Sequence, residues 1–308
     1  MRLLLPDGRQ TKILPNIGQL FLSSFLSQNT LEDIQMNKIF FASLLIFNLT
    51  TVYALDDTKL QQAIAGKHRS AEHKNRDQYR HPLETLNFFE VEPTMSVVEI
   101  WPGGKGWYTE ILAPYLKDQG ALYTAQFSAD SGIPYFTKSL EKFKQKTLAQ
   151  PEIYSKITIT TLYPPQLVDI APENSVDRVL TFRNVHNWMK SREAENVFKA
   201  MLRALKPGGI LGVVEHRAPA EREQDLKAIS GYVTEDFVIA LAEKAGLKFV
   251  AKSEVNANPK DTAEHPNGVW TLLPTLRLND QDREKYMAIG ESDRMTLKFI
   301  KPYRKHGN

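Results

Sequence analysis

The sequence contains no cysteine, which excludes disulfide bonds, thiol nucleophiles and cysteine-ligated zinc sites. It also lacks a strong charge of either sign, because 39 Lys and Arg stand against 36 Asp and Glu, a formal net charge of +3. No block of basic residues stands out along the chain, so nucleic acid is not an expected partner. A cysteine-free chain is compatible with an oxidising compartment without requiring one.

The composition that remains is that of a globular protein. Of the 308 residues, 42% are apolar and 24% are charged. A chain of this length and composition forms one large domain or two small ones. No internal repeat appears in it.

The N-terminal part of the chain has the pattern of a secretory signal peptide. Lys38 precedes an apolar run at 39–47, and Val52 and Ala54 occupy the −3 and −1 positions of a cleavage site. This pattern predicts a signal peptide at 36–54, cleaved after Ala54, and therefore a periplasmic or secreted protein. The run is short for a membrane span, so no stable span is expected after cleavage; an uncleaved anchor and a buried helix are the alternative interpretations.

The signal peptide prediction divides the chain into parts. If Met36 is the start of the native protein, residues 1–35 are an upstream extension without a place in the folded product. The remainder, 55–308, has the length of a single domain. We expect it to comprise a helical cap at 55–92, a core at 95–254, an insertion at 256–292, and a last strand and tail at 293–308.

The cap segment is polar and favours helix. Pro82 interrupts it, which predicts two or three short helices that cover an end of the sheet. The segment is also basic, with Lys67, His68, Arg69, Arg76, Arg80 and His81. Two interpretations stay open: a solvated charged face, or a lid whose cationic and aromatic groups close over a ligand.

The stretch from Met95 to Gly120 organises the core. A short apolar run is followed by a glycine-dense turn and then by apolar residues at helical spacing, which predicts a strand, a tight turn and a helix. Glycines at 103, 104 and 106 let a ligand approach the backbone, and the helix start behind them favours an anionic group. A purely structural turn is the alternative, and the spacing is not the Gly-x-Gly-x-x-Gly of dinucleotide-binding proteins.

The rest of the core alternates between strands and helices, which indicates a largely parallel α/β sheet. Strands are predicted at 96–101, 121–127, 156–162, 177–183, 209–215, 247–254 and 294–300. Helices are predicted at 107–118, 134–149, 191–205 and 234–245. The insertion between the last two strands carries one further possible strand at 270–278.

Three sequence features of this core carry a family resemblance. Glu99 with its glycine-rich turn, the strand start Asp177–Leu180 and the junction Leu205–Leu211 together resemble the Rossmann-type (class I) S-adenosylmethionine-dependent methyltransferases. The match runs from about 95 to 254, with 294–300 as a final antiparallel strand. The motifs Val98–Gly104, Phe182–Trp188 and Glu215–Arg217 are similar to those of an exported, methyltransferase-like subgroup.

The resemblance implies a fold and a cofactor. The fold is a Rossmann-like, seven-stranded, mostly parallel α/β sheet with helices on both faces, and the cofactor S-adenosylmethionine lies across the ends of the first four strands. Glu99 and the 103–106 turn would hold its methionine part, and the ends of the second and third strands would meet ribose and adenine. The residues expected to bind the cofactor are Glu99, Trp101, Pro102, Gly103, Gly104, Gly106, Gln126, Phe127 and Asn184.

The cofactor site departs from the family pattern at several positions. Trp101 stands where the first family glycine is expected, and Lys105 lengthens the turn. Gln126 replaces the acid that accepts both ribose hydroxyls; an amide accepts one hydrogen bond and donates another. After the third strand, residues 162–165 replace the customary acid and leave stacking for the adenine.

The candidate catalytic residues are His186, Glu215 and His216, at the ends of the fourth and fifth strands. A histidine that titrates near neutral pH suits the removal of a proton from a hydroxyl or amine acceptor. The alternatives are a loop histidine held by a neighbour, and a Glu215 carboxylate paired with Arg183 or Arg217. The three residues lack a tight metal-binding spacing, so no metal is expected.

The predicted function is the transfer of a methyl group from S-adenosylmethionine to an unidentified small molecule in the cell envelope. Trp101, Trp107, Tyr108 and Trp188 are expected to cluster near the cofactor's sulfonium, to which aromatic rings are attracted. A non-catalytic protein that binds a ligand in the same pocket is the alternative. A nicotinamide-dependent oxidoreductase is disfavoured by the glycine spacing.

Overall fold

A seven-stranded sheet forms the centre of the computed structural model, which describes residues 58–303. The predicted upstream extension and signal peptide therefore lie outside the described residues, which all belong to one unit, Asp56–Asn308. The strands are β1 Ser96–Ile100, β2 Ala121–Gln126, β3 Ile157–Thr161, β4 Val176–Phe182, β5 Leu205–His216, β6 Lys248–Ser253 and β7 Arg294–Ile300.

The strand order is β3-β2-β1-β4-β5-β7-β6, and β7 is antiparallel to both of its neighbours while the other pairs are parallel. The chain winds outward from β1 in one direction through β2 and β3, and in the other from β4 onward. The carboxyl ends of β1 and β4 therefore flank the point where the winding reverses, which is where ligands bind in open α/β sheets. The predicted fold class is confirmed.

Helices cover both faces of this sheet. A first helix, α1, runs within 58–65. It is followed by α2 Ala71–Lys74, α3 Asp77–Arg80, α4 Pro82–Phe88, α5 Thr109–Leu116, α6 Pro134–Ala149, α7 Pro151–Tyr154, α8 Val185–Ser191, α9 Ala194–Ala204, α10 Glu235–Lys244, a 3-10 helix at Gly268–Thr271 and α11 Arg283–Ile289. Across residues 58–303, no helix is both long and apolar enough to cross a membrane.

The alternation of side chains along the strands divides the core into two layers. Val98 and Ile100 of β1 point into a layer shared with α8, α9 and α10. Val97 of the same strand points to the opposite layer, which contains α5 and apolar residues of the cap such as Leu86 and Phe89. The cap thus packs on one face of the sheet, and the prediction that it covers an end of the sheet was wrong.

Buried charges attach the cap to α5. Arg69, His73 and Arg80 are at most 5% exposed, so the interpretation of this segment as a solvated face was wrong for them, whereas Lys67 is exposed. His73 Nδ1 lies 2.8 Å from Oε2 of Glu110, a buried carboxylate on α5. Because an unpaired buried charge is costly, these contacts hold the cap in place and leave little freedom for a lid.

Two local predictions were wrong. The chain after β4 forms α8, so the following helix begins at Ala194 and not at the predicted Ser191, which lies at the end of α8. The segment 270–278 is not a strand either. It begins in the 3-10 helix and contributes one isolated bridge, between Leu273 and Glu291. Tertiary packing decides such short apolar segments, whose pattern is ambiguous.

Candidate functional site

A cavity of about 960 Å³ opens at the carboxyl ends of β1 to β4. Its walls come from the residues that follow each strand: Trp101 to Gly103 after β1, Phe127 after β2, Tyr163 and Pro164 after β3, and Arg183, Asn184 and His186 after β4. Its volume lies at the upper end of the roughly 300–1,000 Å³ of small-molecule sites. The cavity therefore coincides with the reversal point of the sheet.

Two residues that line this cavity have left-handed backbone conformations. Trp101 follows β1 with a φ of 44°, and Arg183 follows β4 with a φ of 62°. Residues other than glycine rarely adopt the left-handed conformation. Such strained residues persist only where the surrounding structure holds them, and they concentrate at functional sites. The two strained residues directly follow the two strands that flank the reversal point.

The glycines of the turn were expected to let a ligand approach the backbone, and the structure agrees at one of the three positions. Gly103 has a φ of 69°, and a Cβ atom added to it would meet nothing within 4 Å. At Gly104 a Cβ atom would lie 3.0 Å from the carbonyl oxygen of Ser139 in α6, and at Gly106 it would lie 2.9 Å from the ring of Phe143. Gly103 is therefore open to the cavity, whereas Gly104 and Gly106 permit close packing.

Glu99 lies beneath the turn and is 2% exposed. Thr109 Oγ1 donates a hydrogen bond of 2.6 Å to its Oε2. Burial raises the pKa of Glu99 to about 7, and the Thr109 hydrogen bond and the charge of Lys146 oppose that shift. The carboxyl group is thus near its titration point at neutral pH, at a position where a ligand cation would favour its ionised form.

Gln126 ends β2 and is fully buried. Its Nε2 makes a long hydrogen bond of 3.4 Å to the carbonyl oxygen of Gly103, and its Oε1 has no partner within residues 58–303. A buried acceptor without a partner costs about 1–3 kcal/mol. Gln126 therefore holds an unused acceptor beside the open glycine, and Phe127 after it contributes a wall of the cavity.

The predicted aromatic cluster is divided between the two core layers. Trp107 is buried between Arg69 and Arg80, whose guanidinium carbons lie 5.0 and 4.7 Å from its ring centroid. Tyr108 and Trp188 are buried as well. Of the four aromatics, Trp101 alone lines the cavity, so the prediction of a single ring of four was wrong.

Trp101 has other aromatic neighbours. Its ring centroid lies 4.8 Å from that of Phe127 and 5.5 Å from that of Phe136, and its Nε1 donates to the carbonyl oxygen of Leu162 at 3.0 Å. The indole therefore spans from β1 to the end of β3, in the region where the resemblance placed the adenine. It narrows that region and leaves the cavity open.

His186 and Glu215 form a buried pair on the wall of the cavity. His186 Nδ1 lies 3.0 Å from Glu215 Oε1. The same carboxylate accepts the backbone N–H of His186 at 3.3 Å and that of His216 at 2.8 Å. Glu215 therefore pairs with neither Arg183 nor Arg217, and His186 lies on α8 instead of in a loop. Because a carboxylate accepts, Nδ1 carries the proton in the neutral form of His186, and Nε2 is then an acceptor.

His216 takes a different position in the site. Its Nδ1 contacts Ser292 Oγ, and its ring centroid lies 5.4 Å from that of His186. Burial, followed by the charges of His186, Arg294 and Arg183, holds the pKa of His216 well below its ordinary value. It is therefore a neutral neighbour of the pair.

His186, Glu215 and His216 each offer a ligand atom within 4.8 Å of the others, as a metal site would require. The charges around them oppose a cation, because Arg183 and Arg294 already disfavour the protonated form of His216. The set is better suited to moving a proton than to holding a metal ion.

Asn184 is partly committed to the fold. Its Nδ2 donates to the carbonyl oxygen of Ile100 at 3.0 Å and to Thr181 Oγ1 at 3.3 Å. This links the ends of β1 and β4 and sets the mouth of the cavity. The amide nitrogen of Asn184 therefore already has partners, and the prediction that this residue binds the cofactor stays a prediction.

Several cavity residues could not be singled out from the sequence. Tyr135 and Phe136 reach it from α6, Lys190 from α8 and Trp270 from the 3-10 helix. None follows a strand, and long-range packing alone brings them to the site. For Arg183 the sequence suggests only an ion pair with Glu215.

A second cavity, of about 600 Å³, lies around Arg217. Most of its charged groups are already paired, among them Arg217 with Asp293, Glu235 and Glu254, and Lys252 with Glu235. These ion pairs connect α10, β6 and the start of β7 and leave no evident group for catalysis.

Comparison with known proteins gives similar folds at low identity. No protein-family model and no curated protein sequence matches the chain. Similar solved structures include an S-adenosylmethionine-dependent methyltransferase from Aquifex aeolicus, with 13% identity and a TM-score of 0.49 over 80% of this chain and 98% of that one.

Two further structures are similar to a comparable degree. An arsenic(III) S-adenosylmethionine methyltransferase from Chlamydomonas reinhardtii has 14% identity and a TM-score of 0.43, covering 70% of this chain and 65% of that one. The [4+2]-cyclase SpnF has 13% identity and a TM-score of 0.49, covering 82% and 95%. At these values the similarity assigns neither a reaction nor a substrate to this chain.

Proposed function

We propose that this protein transfers a methyl group from S-adenosylmethionine to a small-molecule acceptor, and that it does so in the cell envelope. The observation that carries the proposal is the His186–Glu215 pair on the wall of a ligand-sized cavity at the reversal point of the sheet. The predicted signal peptide supports the compartment.

The residues around the cavity fit the proposed cofactor. Gly103 leaves space for a ligand against the backbone, and the partnerless Oε1 of Gln126 is an acceptor for a hydroxyl group. Glu99 can pair with a cationic group beneath the turn, since its pKa of about 7 lets it ionise when a cation arrives. Trp101 and Phe127 offer aromatic faces to a nucleoside or a sulfonium.

The chain's own groups then have defined tasks. S-adenosylmethionine, when bound, supplies a methyl group on a positively charged sulfur. Glu215 holds the Nδ1–H of His186 and fixes the ring, so that Nε2 can take a proton from an acceptor hydroxyl or amine. The walls of the cavity orient the acceptor and limit its contact with water.

Calorimetry with S-adenosylhomocysteine tests the proposal with a matched pair of glycine variants. Gly103 and Gly132 have φ values of 69° and 68°, and an added Cβ atom meets nothing within 4 Å at either. Gly103 lines the cavity and Gly132 does not. We expect Gly103→Ala to weaken binding by about tenfold or more, because its methyl group takes ligand space at a cost of at least ~1.4 kcal/mol.

Gly132→Ala controls for the strain of alanine at positive φ, and it should bind like the wild type. Both variants should lose similar thermal stability. The absence of binding heat with millimolar S-adenosylmethionine and S-adenosylhomocysteine would refute the cofactor assignment. Equal affinity of Gly103→Ala and wild type would remove the ligand from the glycine turn.

A non-catalytic ligand-binding protein is the second candidate. Two observations favour it: an amide, Gln126, in place of the acid, and the Trp101 indole fixed across the end of β3. Such a protein would bind a ligand in the cavity without turnover. A search for methyl transfer with labelled cofactor and a panel of small hydroxyl and amine compounds separates the two candidates.

A further inference from the structure

We infer that Arg183 recognises an anionic group, so that the ligand in the cavity carries a carboxylate or phosphate at that point. The inference deepens the proposed function and rests on it for the identity of the ligand, which is either the cofactor or its acceptor. The guanidinium of Arg183 would bind an anion whichever of these ligands supplies it.

The backbone of Arg183 is held by the sheet, whereas its guanidinium has no partner among residues 58–303. Its backbone N–H donates to the carbonyl oxygen of Val214 at 2.7 Å, directly after the end of β4. Arg183 lines the cavity, and its side chain makes no hydrogen bond or ion pair within residues 58–303. A guanidinium carries five N–H donors, and leaving all of them unpaired in a partly buried position is costly.

Other buried arginines of the chain differ from Arg183 in this respect. Arg69 pairs with Asp77 at 2.7 Å, and Arg178 donates to the carbonyl oxygens of Phe89 and Glu90. Arg294 pairs with Glu291. The absence of such a partner at Arg183, at the wall of a cavity, indicates a partner that comes from outside the chain.

The charges behind Arg183 also favour an anion. Arg76, Arg80 and Arg294 share one carboxylate, that of Glu291. Three guanidinium groups against one carboxylate leave an excess of positive charge next to the cavity. Burial, followed by the charge of Arg294, lowers the pKa of Arg183 to about 10, and Glu291 opposes the shift. A bound anion would relieve this repulsion.

The geometry of the group suits carboxylates and phosphates. The planar guanidinium binds both of these groups with two parallel hydrogen bonds, whereas it repels a metal ion or an ammonium group. The anion has two possible sources: the amino-acid carboxylate of the cofactor, or an acidic group on the methyl acceptor. Both supply the same chemistry to Arg183.

The test compares Arg183→Met with Arg192→Met. Arg192 is also a left-handed arginine, with a φ of 64°, but it is exposed at the end of α8 and does not line the cavity. The probes are inorganic phosphate, S-adenosylhomocysteine and 5′-methylthioadenosine, which lacks the amino-acid carboxylate. Affinities are measured by calorimetry, and melting curves establish that each variant is folded.

We expect wild type and Arg192→Met to bind phosphate equally, and Arg183→Met to bind it about tenfold more weakly or not at all, as for the loss of a charge-assisted hydrogen bond. Arg183→Lys keeps the charge without the planar guanidinium, and its affinity for phosphate should lie between those of wild type and Arg183→Met. If Arg183→Met also loses affinity for S-adenosylhomocysteine but not for 5′-methylthioadenosine, the cofactor supplies the anion. If binding of S-adenosylhomocysteine is unchanged, the acceptor supplies it.

Equal binding of phosphate and S-adenosylhomocysteine to wild type and Arg183→Met would overturn the inference, as would a wild type that binds neither probe. A wild type that fails to bind S-adenosylhomocysteine but binds phosphate through Arg183 would refute the proposed function and leave the anion site in place. The two failures are therefore distinguishable.

Discussion

Glu99 is a carboxyl group that folding moves from water to a buried position under the glycine turn. Its pKa rises to about 7 on burial. Between its ordinary pKa and this value the folded chain binds more protons than the unfolded chain, so the free energy of unfolding falls as the pH rises. Above the folded pKa the full cost, about 3 kcal/mol, is present.

Replacing Glu99 by glutamine removes this dependence of the free energy of unfolding on pH. Oε1 of a glutamine can still accept the hydrogen bond from Thr109, but the side chain cannot ionise. We expect the stability of Glu99→Gln relative to wild type to increase by roughly 2 kcal/mol between about pH 5 and about pH 8. Urea denaturation at each pH measures it.

Glu141→Gln is the control for Glu99→Gln, because it removes an exposed carboxylate from α6. Its stability relative to wild type should change little across the same pH range. A Glu99→Gln curve parallel to that of the control would contradict the buried, half-ionised carboxyl group.

His186 carries the second prediction at this scale. If Nε2 takes the acceptor's proton, His186→Ala should reduce turnover by about a hundredfold or more while leaving cofactor affinity nearly intact. His265→Ala is a matched control, since His265 forms a similar buried pair with Asp261 at 2.7 Å outside the cavity. Rates and affinities are measured on the same folded samples.

The expected contrast is a loss of turnover in His186→Ala alone. A parallel loss of cofactor affinity and turnover would assign His186 to binding, and unchanged turnover would remove it from the reaction. A protein without measurable turnover in any form would favour the non-catalytic candidate.

Some residues of the site could be predicted from the sequence with the correct physical reason, and others could not. Glu99, His186 and Glu215 follow from their places near strand ends: His186 lines the cavity, Glu215 contacts His186, and Glu99 is buried at the end of β1 against Thr109. Gly104 and Gly106 are glycines because of packing against α6 and Thr109, which no local pattern reveals. Arg183 could not be singled out, because a missing partner is a property of three-dimensional structure.

At the scale of elements, one buried carboxylate supplies the charged part of the contact between the cap and α5. Glu110 is 3% exposed and contacts His73 and Lys146 directly, with Arg69 Nε at 3.7 Å. Neutralising it leaves cationic groups buried without their counter-charge. We expect Glu110→Gln to destabilise the protein by roughly 3 kcal/mol.

Glu72→Gln controls for the loss of an ion pair as such. Glu72 pairs with Lys105 at 2.6 Å, but both side chains are at least half exposed. Its removal should cost less than about 0.5 kcal/mol. Amide hydrogen exchange in α1 to α4 should accelerate in Glu110→Gln only; unchanged exchange there would mean that other contacts hold the cap.

The elements of the sheet were predictable and the short helices were not. The seven strands have strong apolar patterns between turn residues, and α6 occupies the predicted 134–149. The seven-residue helix α8 escaped prediction because it is short and closely follows a strand, although Asn184 is a residue type that favours the N-cap position. His186 lies in the first turn of this helix.

At the scale of the whole molecule, the predicted signal peptide implies a mature chain that starts at Leu55. Residues 36–54 carry the pattern, and they lie outside the described residues. We expect N-terminal sequencing of protein purified from its native source to begin at Leu55. A mature chain that begins well before Leu55 would contradict cleavage and export.

The sheet order explains why residues from distant parts of the sequence meet at one cavity. The reversal between β1 and β4 collects the ends of four strands, and α6 and the 3-10 helix reach the same region from elsewhere. The resemblance predicted the seven strands, the antiparallel direction of the last one and the strand ends at which a ligand is expected. It did not predict the lining from Tyr135, Phe136 and Trp270, because these residues reach the site only through tertiary packing.

A crystal structure of the protein with S-adenosylhomocysteine tests the central claim most directly. The nucleoside should lie in the cavity beside Gln126 and Phe127, with the amino-acid part against Gly103 and its amino group directed to Glu99. His186 Nε2 should face the sulfur across the space left for an acceptor. A cavity that stays empty at millimolar ligand, or a ligand bound away from Gly103 and Gln126, would contradict the account.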